Sequence, residues 1–170
     1  MFKREHIIYT GESSLKSNHW KPYFSKSTIG NSYDVLWEVE NNRLVMTDTE
    51  YERACHRDFY DALFEGADML SIGYGIGFIL PEIRELKCNL TVIEKYKEVI
   101  DLEPNDINDV NLIIDDATTC DYNKLFPDER FDIIWWDPFS ETQFQTDHIK
   151  FLLKPNGKLI RWNHIADHIY

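Results

Sequence analysis

The sequence is poor in glycine and cysteine and has no block of basic residues. Of its 170 residues, 7 are glycine and 3 are cysteine, and Cys55, Cys88 and Cys120 form no CxxC motif. Cysteines in this pattern indicate neither a disulfide framework nor a zinc site. With 18 basic and 30 acidic side chains, the formal net charge of −12 repels phosphate backbones. We therefore expect no nucleic-acid substrate, no bound metal and a reducing, cytoplasmic compartment.

Long apolar runs are also missing. No uninterrupted run approaches the ~20 apolar residues that a membrane-spanning helix needs, and the polar N-terminus leads into only a short apolar stretch. We expect a soluble, unprocessed protein with no membrane contact. Hydrophobic residues make up 43% of the sequence, which is enough for one compact domain with a buried core.

The N-terminal segment differs in pattern from the rest. Residues 1–32 are polar, rich in serine, lysine and aromatic residues, and lack the periodicity of a helix or a strand. We predict that they form an arm whose order depends on docking, and that residues 33–170 form a single domain. Side chains of the arm could form a lid or pack against the hairpin of the domain; these are His19, Trp20, Tyr23 and Phe24.

The predicted domain begins with a β-hairpin and an amphipathic helix. Asn41-Asn42 separates two apolar runs, and asparagine tolerates the left-handed conformation of a tight turn. Apolar residues then recur at three- and four-residue steps up to Gly66, which predicts a helix that ends there. We predict hairpin strands at 33–40 and 43–46, a helix at 49–65, and its N-cap at Thr47 or Asp48.

After the helix, short apolar runs alternate with helical spacers, which is typical of a parallel sheet with crossover helices. The predicted fold is α/β, with a Rossmann-like, mostly parallel sheet of about five strands and flanking helices, preceded by the hairpin. We predict strands at 68–73, 89–94, 110–115, 131–136 and 157–163. We predict helices at 77–87, 95–102 and 142–153, and a short helical turn at 122–126.

A glycine-rich segment follows the first strand of this sheet. Gly73-Tyr-Gly-Ile-Gly77 holds three of the chain's seven glycines and precedes a predicted helix. Alternate glycines remove Cβ atoms where a ligand can lie against the main chain, outside the carboxyl end of a strand. The GxGxG spacing lacks the third glycine of the GxGxxG fingerprint. It therefore favours a nucleotide-like ligand over one bound through a pyrophosphate.

Acidic residues close three further predicted strands. Glu94 lies about twenty residues beyond the glycine turn, where a carboxylate can accept hydrogen bonds from both ribose hydroxyls. Asp116 and the main chain of Ala117 can recognise the edge of an adenine, although Asp116 could instead cap the next segment. Asp137 is a candidate base or acceptor for an amine nucleophile, and a turn-forming pair with Pro138 is the alternative.

Another group of acids precedes the glycine turn. Asp48, Glu50 and Glu52 lie at the start of the predicted helix. They could close over the same site, bind a cationic acceptor and take its proton. The alternative is structural, because acids in a first helical turn are favoured by the helix dipole alone.

In this order, these motifs resemble the class I S-adenosylmethionine-dependent methyltransferases. The resemblance extends from Asp68 to Asn163 through LSIGYGIG, TVIE, IIDDA, FDIIWWDPF and LLKPNGKLIRW. VMTDTE before the glycines, and WWDPF followed by LLKPNG, are similar to the guanidinoacetate and arginine N-methyltransferases. The hairpin, acid-bearing helix and glycine turn are similar to those of spermidine synthases.

The resemblance implies a cofactor, a reaction and a set of site residues. It implies methyl transfer from S-adenosylmethionine to a small amine- or guanidine-type acceptor. It places Asp137 against the methionine amine or the acceptor, and adds Glu50 and Asp48 as catalytic candidates. The implied cofactor site consists of Gly73, Tyr74, Gly75, Gly77, Glu94, Asp116 and Ala117.

The C-terminal part departs from the family pattern. Members continue past the fifth strand with a helix and two more strands, whereas this sequence stops at Tyr170. We expect those strands to be missing and the fifth strand to be a sheet edge, which either the N-terminal arm and hairpin cover or two subunits of a homodimer share. Three alternatives to methyl transfer follow: aminopropyl transfer, breakdown of S-adenosylmethionine without an acceptor, and a truncated non-catalytic binding module.

Overall fold

The computed structural model describes residues 1–10, 30–77, 79–137 and 146–162 of the protein. Within these ranges, no helix is both long and apolar enough to cross a membrane. The strands are β1 (Phe2–Ile8), β2 (Ser32–Glu38), β3 (Arg43–Thr47), β4 (Asp68–Ile72), β5 (Asn89–Glu94), β6 (Asn111–Ile114), β7 (Phe131–Trp136) and β8 (Leu153–Arg161). The helices are α1 (Glu50–Cys55), α2 (Arg57–Tyr60), α3 (Leu80–Glu85), α4 (Lys97–Asp101), α5 (Tyr122–Leu125) and a 3-10 helix, Asp147–Leu152.

The main sheet contains five parallel strands in the order β6-β5-β4-β7-β8. The chain adds β5 and β6 on one side of β4 and then β7 and β8 on the other. This arrangement confirms the predicted Rossmann-like α/β fold. In such sheets a ligand binds outside the carboxyl ends of the strands where their order reverses, which here is beside β4 and β7.

The central strands of this sheet are buried on both faces. Met69 and Trp135 belong to the core on one face, while Leu70 and Trp136 belong to the core on the other. Because neither face meets water, these strands are continuous apolar runs. The opposite orientation of the adjacent tryptophans leaves Trp135 on the face that also carries Phe59 of α2, with ring centroids 5.0 Å apart.

A second sheet contains three antiparallel strands in the order β1-β2-β3. The predicted hairpin of β2 and β3 is confirmed, and Asn42 adopts φ 47° in its turn. At Phe2–Ile8 the structure differs from the expected irregular arm, because β1 pairs with β2 along its whole length. Charged side chains hide this strand in the sequence. The predicted lid residues of the arm lie outside the described residues, and the division into an arm and a domain stays a prediction.

Arg4 of β1 fastens the small sheet to the main one. Its guanidinium donates to Asp34 Oδ2 on β2 (2.7 Å), to Glu103 Oε2 after α4 (3.1 Å) and to the carbonyl oxygen of Ile76 in the glycine turn (3.3 Å). Met46 of β3 lies against the same turn, where its sulfur accepts from Ile76 N at 3.4 Å. The small sheet therefore rests directly on the glycine turn.

The helix predicted over 49–65 is interrupted. His56 lies between α1 and α2, with φ −96° and ψ 9°, and acts as C-cap of the first and N-cap of the second. Its backbone N–H donates to both Glu52 O and Arg53 O at 3.2 Å. The interruption turns the His56 side chain into the interior, where it is completely buried.

The N-cap of α1 is Thr49, whose hydroxyl accepts from Glu52 N at 3.4 Å. The prediction of Thr47 or Asp48 is therefore wrong by one or two positions. Both side chains have other partners: the Thr47 hydroxyl accepts from Thr49 N, and Asp48 Oδ1 accepts from Asp34 N at 2.9 Å.

Among the described residues, β8 lies at an edge of the main sheet, as expected of the fifth strand. It begins at Leu153, earlier than predicted, and pairs irregularly with β7, with Asn156 at φ 67°. Of the helix predicted over 142–153, residues 147–152 form a 3-10 helix, and 142–145 lie outside the described residues. A homodimer through this edge stays a prediction.

Candidate functional site

The glycine turn brings bare main chain to the carboxyl end of β4. Gly73 has φ 92°, its N–H donates to Ile93 O (2.9 Å), and a Cβ there would lie 2.6 Å from the Asp137 carbonyl oxygen. Gly75 has φ 61°, and a Cβ there would overlap the Met46 sulfur. Only glycine combines positive φ with such close neighbours. The two glycines therefore let β5, β7 and the hairpin close around the turn.

Glu94 ends β5 and is tied to the glycine turn. Its Oε2 accepts from Tyr74 N at 3.0 Å, and its Oε1 accepts from Tyr96 N at 2.7 Å. Burial raises the pKa of Glu94, and these two N–H donors oppose that shift. A carboxylate oxygen can accept more than one hydrogen bond. Glu94 can therefore hold the turn and still accept from a ligand.

Asp116 follows β6 and is held as a carboxylate. Its Oδ1 accepts from Thr118 N (2.9 Å) and Thr118 Oγ1 (2.7 Å), and Lys95 Nζ lies 2.8 Å from Oδ2. Lys95 is the main reason that the pKa of Asp116 is lowered to about 2. Ala117 is buried beside it, and its carbonyl oxygen accepts from Tyr122 Oη at 2.6 Å. Asp116 thus organises its own turn, which is the structural alternative, and also faces the cavity.

These groups meet in one cavity of about 430 Å³ at the carboxyl ends of the parallel strands. Phe2 and Met46 of the small sheet also line it. Gly77 is not among its described lining residues; a Cβ there would lie 2.5 Å from Tyr74 Oη. The predicted cofactor residues that line the cavity are Gly73, Tyr74, Gly75, Glu94, Asp116 and Ala117.

Of the three predicted catalytic acids, only Asp137 lines this cavity within the described part of the chain. Glu50 is exposed at the start of α1. Asp48 accepts from Asp34 N in the small sheet, and burial raises its pKa. The structure therefore brings Asp137 to the predicted cofactor residues, whereas Asp48 and Glu50 are not among the described residues that line the cavity. Glu52, the third acid of that group, does line the cavity.

Glu52, His56 and Asp137 form a buried acid-base cluster on the cavity wall. His56 Nε2 lies 3.6 Å from Asp137 Oδ2, and His56 Nδ1 lies 3.7 Å from Glu52 Oε1. Trp162 Nε1 donates to Glu52 Oε1 at 2.9 Å, and Trp135 packs on the imidazole with ring centroids 4.8 Å apart. Among the described residues, including this cluster, no group of three or more His, Cys, Asp or Glu side chains is arranged to hold a metal ion.

Burial raises the pKa of both carboxyl groups of the cluster, and the pKa of Glu52 reaches about 7. Burial raises the pKa of Glu52 to about 7, with His56 opposing the shift and Asp137 adding to it. Burial also raises the pKa of Asp137, again against His56. Groups that titrate near pH 7 can exchange protons with a substrate under ordinary conditions.

Position in the sheet separates this cluster from Asp116. Asp137 follows β7 and Asp116 follows β6, and the sheet order places β4 and β5 between these strands. Three strand spacings correspond to about 14 Å. The cavity therefore has Asp116 and Glu94 toward one end and the acid-base cluster toward the other.

His56 and Trp162 carry no sequence motif that predicts their place in the site. His56 lies inside an amphipathic pattern, and Trp162 lies at the end of an edge strand. One signal was available: Glu52 and His56 are four residues apart, which places them on one face of a helix. Their approach to Asp137 depends on tertiary packing.

Comparison with known proteins finds similarity in structure only. No protein-family model and no curated protein sequence matches the chain. Precorrin-6y C5,15-methyltransferase from Geobacter metallireducens matches with a TM-score of 0.54 and 15% identity, over 69% of this chain and 64% of that one. A provisionally assigned caffeoyl-CoA O-methyltransferase from Staphylococcus aureus matches with a TM-score of 0.52 and 20% identity, over 72% of this chain and 61% of that one. A provisionally assigned S-adenosylmethionine-dependent methyltransferase from Streptococcus mutans matches with a TM-score of 0.51 and 20% identity, over 78% of this chain and 39% of that one.

These matches define the class of fold. The chain has the Rossmann-like fold of class I S-adenosylmethionine-dependent methyltransferases, and it spans less than two thirds of the length of those structures. None of the three is a guanidinoacetate or arginine methyltransferase or a spermidine synthase by description, so the resemblance to those groups stays a prediction.

Proposed function

We propose that the protein binds S-adenosylmethionine in this cavity and transfers its methyl group to a small acceptor with an amine- or guanidine-type nitrogen. One observation carries the proposal. The main chain of Gly73 and Gly75, together with Glu94 and Asp116, lines one cavity at the carboxyl ends of neighbouring parallel strands. A volume of about 430 Å³ lies within the range of small-molecule sites.

The strand order suggests how the cofactor lies. Asp116 and Ala117 at β6 would contact the adenine, Glu94 at β5 the ribose hydroxyls, and the main chain at Gly73 and Gly75 the methionine portion. Glu94 suits this role because its two backbone donors fix the carboxylate and leave lone pairs for the hydroxyls. When bound, the cofactor would supply an electrophilic methyl group on a sulfonium.

The acid-base cluster suits a basic nitrogen. The Glu52 carboxyl group is buried and that of Asp137 is 19% exposed, and both lie in the cavity wall, where negative charge attracts a protonated amine or guanidine. Such a nucleophile must lose a proton before or during attack, and a carboxylate within reach can take it. Holding the acceptor nitrogen in line with the methyl group lowers the activation barrier further, with an upper limit of about 7–11 kcal/mol.

Binding measurements test the cofactor site. Titration calorimetry with S-adenosylmethionine and S-adenosylhomocysteine should show binding of both to the wild type. Glu94→Gln should weaken both at least about tenfold, because the amide is uncharged and offers an N–H where the turn also donates. Glu98→Gln, an exposed acid on α4, is the matched control and should bind as the wild type does. Equal affinities of the two variants would contradict the ribose role of Glu94.

Product analysis tests the reaction. The protein is incubated with S-adenosylmethionine and guanidinoacetate, putrescine or spermidine, and also without an acceptor. Methylated amine together with S-adenosylhomocysteine is the expected result. Methylthioadenosine formed without an acceptor would instead support breakdown of the donor. Tight binding without any product would support a non-catalytic binding module.

Aminopropyl transfer is a second candidate that one observation favours. Among the described residues that line the cavity, lysine and arginine are represented by Lys95 alone, and Lys95 is paired with Asp116. No such cation is therefore placed for a donor carboxylate beside Glu52 and Asp137. Binding of decarboxylated S-adenosylmethionine at least about tenfold more tightly than the carboxylated donor would support this candidate.

A further inference from the structure

The hydrogen bonds of His56 fix which ring nitrogen carries a proton. Nδ1 lies 2.8 Å from the carbonyl oxygen of Glu52. A carbonyl oxygen can only accept, so Nδ1 must carry the hydrogen. In the neutral ring, Nε2 then carries no hydrogen and has a lone pair, and Nε2 lies 3.6 Å from Asp137 Oδ2. The fold thus presents a basic nitrogen to a carboxyl group that lines the cavity.

The neighbours of the ring hold this arrangement. The Glu52 carbonyl accepts from both the backbone N–H and the ring of His56, because α1 ends there. Trp162 donates to the Glu52 carboxyl group, and Trp135 packs on the ring. The titratable groups around the ring are Glu52 on α1 and Asp137 after β7, and Tyr60 on α2 senses the Glu52 charge.

We infer that Asp137, His56 and Glu52 act as one proton-accepting unit for the acceptor nitrogen, in which Asp137 contacts the nitrogen and His56 receives the proton from Asp137. This inference rests on the proposed function and goes beyond it by naming the path of the proton. Asp137 is the catalytic residue of the unit. His56 and Glu52 are positioning residues that act through it.

The step balances in atoms and charge. The protonated acceptor nitrogen first passes a proton to the Asp137 carboxylate, which frees its lone pair. The nitrogen then forms a bond to the methyl carbon, and the carbon–sulfur bond breaks with its electron pair on sulfur, which gives a neutral thioether and leaves the positive charge on the methylated nitrogen. Asp137 passes a proton to His56 Nε2. The resulting imidazolium lies between two carboxyl groups, of Glu52 and Asp137, which stabilise its charge.

A buried relay explains why three titratable groups share one wall of the cavity. A histidine between two acids is expensive to bury, and apolar residues of the same volume would stabilise a core equally well. As a relay, the cluster moves the proton away from Asp137. Asp137 is then ready to accept the next cationic acceptor.

The test uses a cationic probe at the position of the transferred methyl group. Sinefungin is an analogue of S-adenosylmethionine that carries an amine there, whereas S-adenosylhomocysteine carries nothing. Calorimetry on the full chain should show sinefungin binding at least about tenfold more tightly than S-adenosylhomocysteine. Asp137→Asn should reduce this preference below about threefold, measured as the ratio of the two affinities within the variant. Asp58→Asn, an exposed acid on α2, is the matched control and should keep the preference.

The state of the ring provides a readout that a structural role would not change. Nitrogen-15 NMR of labelled histidine should show protonated Nδ1 and unprotonated Nε2 in the neutral ring of His56, assigned with His56→Gln. At a fixed pH, the Nε2 signal should differ between the sinefungin and S-adenosylhomocysteine complexes, because the amine would lie beside Asp137, which faces Nε2 at 3.6 Å. Asp137→Asn should remove this difference. His148, which packs on Trp136 at the other face of the sheet, is an internal control.

The outcomes separate this inference from the proposed function. Binding of S-adenosylhomocysteine without a preference for sinefungin and without a change at His56 would overturn the relay and leave the cofactor site intact. A neutral ring protonated at Nε2 would overturn it as well. Failure of S-adenosylhomocysteine to bind would overturn the proposed function, and the relay with it.

Discussion

The protonation of Glu52 depends strongly on the fold. In the unfolded chain its pKa is near 4.5, and in the folded protein burial raises the pKa to about 7, with His56 opposing and Asp137 supporting the shift. The folded state therefore binds the Glu52 proton more tightly than the unfolded state does. Its contribution to stability is complete below about pH 4.5 and is lost as the pH rises through 7.

Glu52→Gln should remove this pH dependence, because the amide does not titrate. The free energy of unfolding of the wild type relative to the variant should fall by about 2–3 kcal/mol between pH 5 and pH 8. Urea denaturation at both pH values measures the difference. Asp58→Asn, on the exposed side of α2, should show no such change relative to the wild type. A constant difference between wild type and Glu52→Gln would contradict the raised pKa.

Glu94 has a structural role in addition to the proposed contact with ribose. It ends a strand, yet its side chain is buried and holds the N–H groups of Tyr74 and Tyr96. Glu94→Ala should therefore lower the free energy of unfolding by about 1–3 kcal/mol, since two buried donors lose their acceptor. Thermal and urea unfolding measure the loss, and Glu98→Ala provides the control on the exposed face of α4. Unchanged stability would show that water replaces both hydrogen bonds.

At the scale of elements, the contact between the hairpin and the glycine turn can be tested by a double-mutant cycle. A Cβ at Gly75 would overlap the Met46 sulfur, whereas a Cβ at Gly73 would meet the Asp137 carbonyl oxygen. The double variant Gly75→Ala/Met46→Ala should therefore lose less free energy of unfolding than the sum of the two single variants, by about 0.5–3 kcal/mol. The double variant should still lose about 1–2 kcal/mol from positive φ at residue 75.

Gly73→Ala is the matched comparison for this cycle. The free energies of unfolding lost in Gly73→Ala and in Met46→Ala should add in the double variant, because removing the Met46 side chain gives no room beside the Asp137 main chain. Urea denaturation of all five variants measures both couplings. Equal couplings for Gly73 and Gly75 would contradict the specific contact between the hairpin and the turn.

Some elements could be predicted from the sequence, and others could not, for physical reasons. The strands β4, β5 and β7 are buried on both faces, so each is an apolar run that contrasts with its polar surroundings. β1 could not be found this way, because Arg4 occupies an inward position and is compensated by Asp34 and Glu103 far along the chain. Helix periodicity likewise cannot show a single interrupting residue such as His56.

The candidate site divides in the same way. Glu94, Asp116 and Asp137 could be predicted because the carboxyl ends of parallel strands meet at one edge, which makes their sequence positions informative. The partners of Asp137 could not, because His56 reaches it only through the packing of α1 and α2 on the sheet. For the acids before the glycine turn, the position of each residue around α1 determines which one reaches the cavity: Glu52 faces inward and Glu50 faces solvent.

At the scale of the whole molecule, Arg4 connects the small sheet to the cavity. Arg4→Ala would leave the Glu103 carboxylate, whose side chain is 1% exposed, without its cation. We expect a loss of about 3 kcal/mol in the free energy of unfolding. Hydrogen exchange should accelerate at β1, and affinity for S-adenosylhomocysteine should fall, because Phe2 and Met46 line the cavity.

Lys3→Ala is the control for this prediction. Lys3 is adjacent, exposed, and paired with Glu5 on its own strand. Exchange at β1 and ligand affinity should remain those of the wild type. Faster exchange in both variants would indicate that β1 is only loosely held and that Arg4 has no special part in fastening it.

The cavity joins segments that are far apart in the chain, and this distance affects how the protein is made. Arg4 and Glu103 are 99 positions apart, and Glu52 and Trp162 are 110 positions apart. Contacts of such range form late and slow the search for the native state. During translation, the small sheet emerges well before the strands on which it rests. A nascent chain therefore completes the wall of this cavity only after Trp162 has been added.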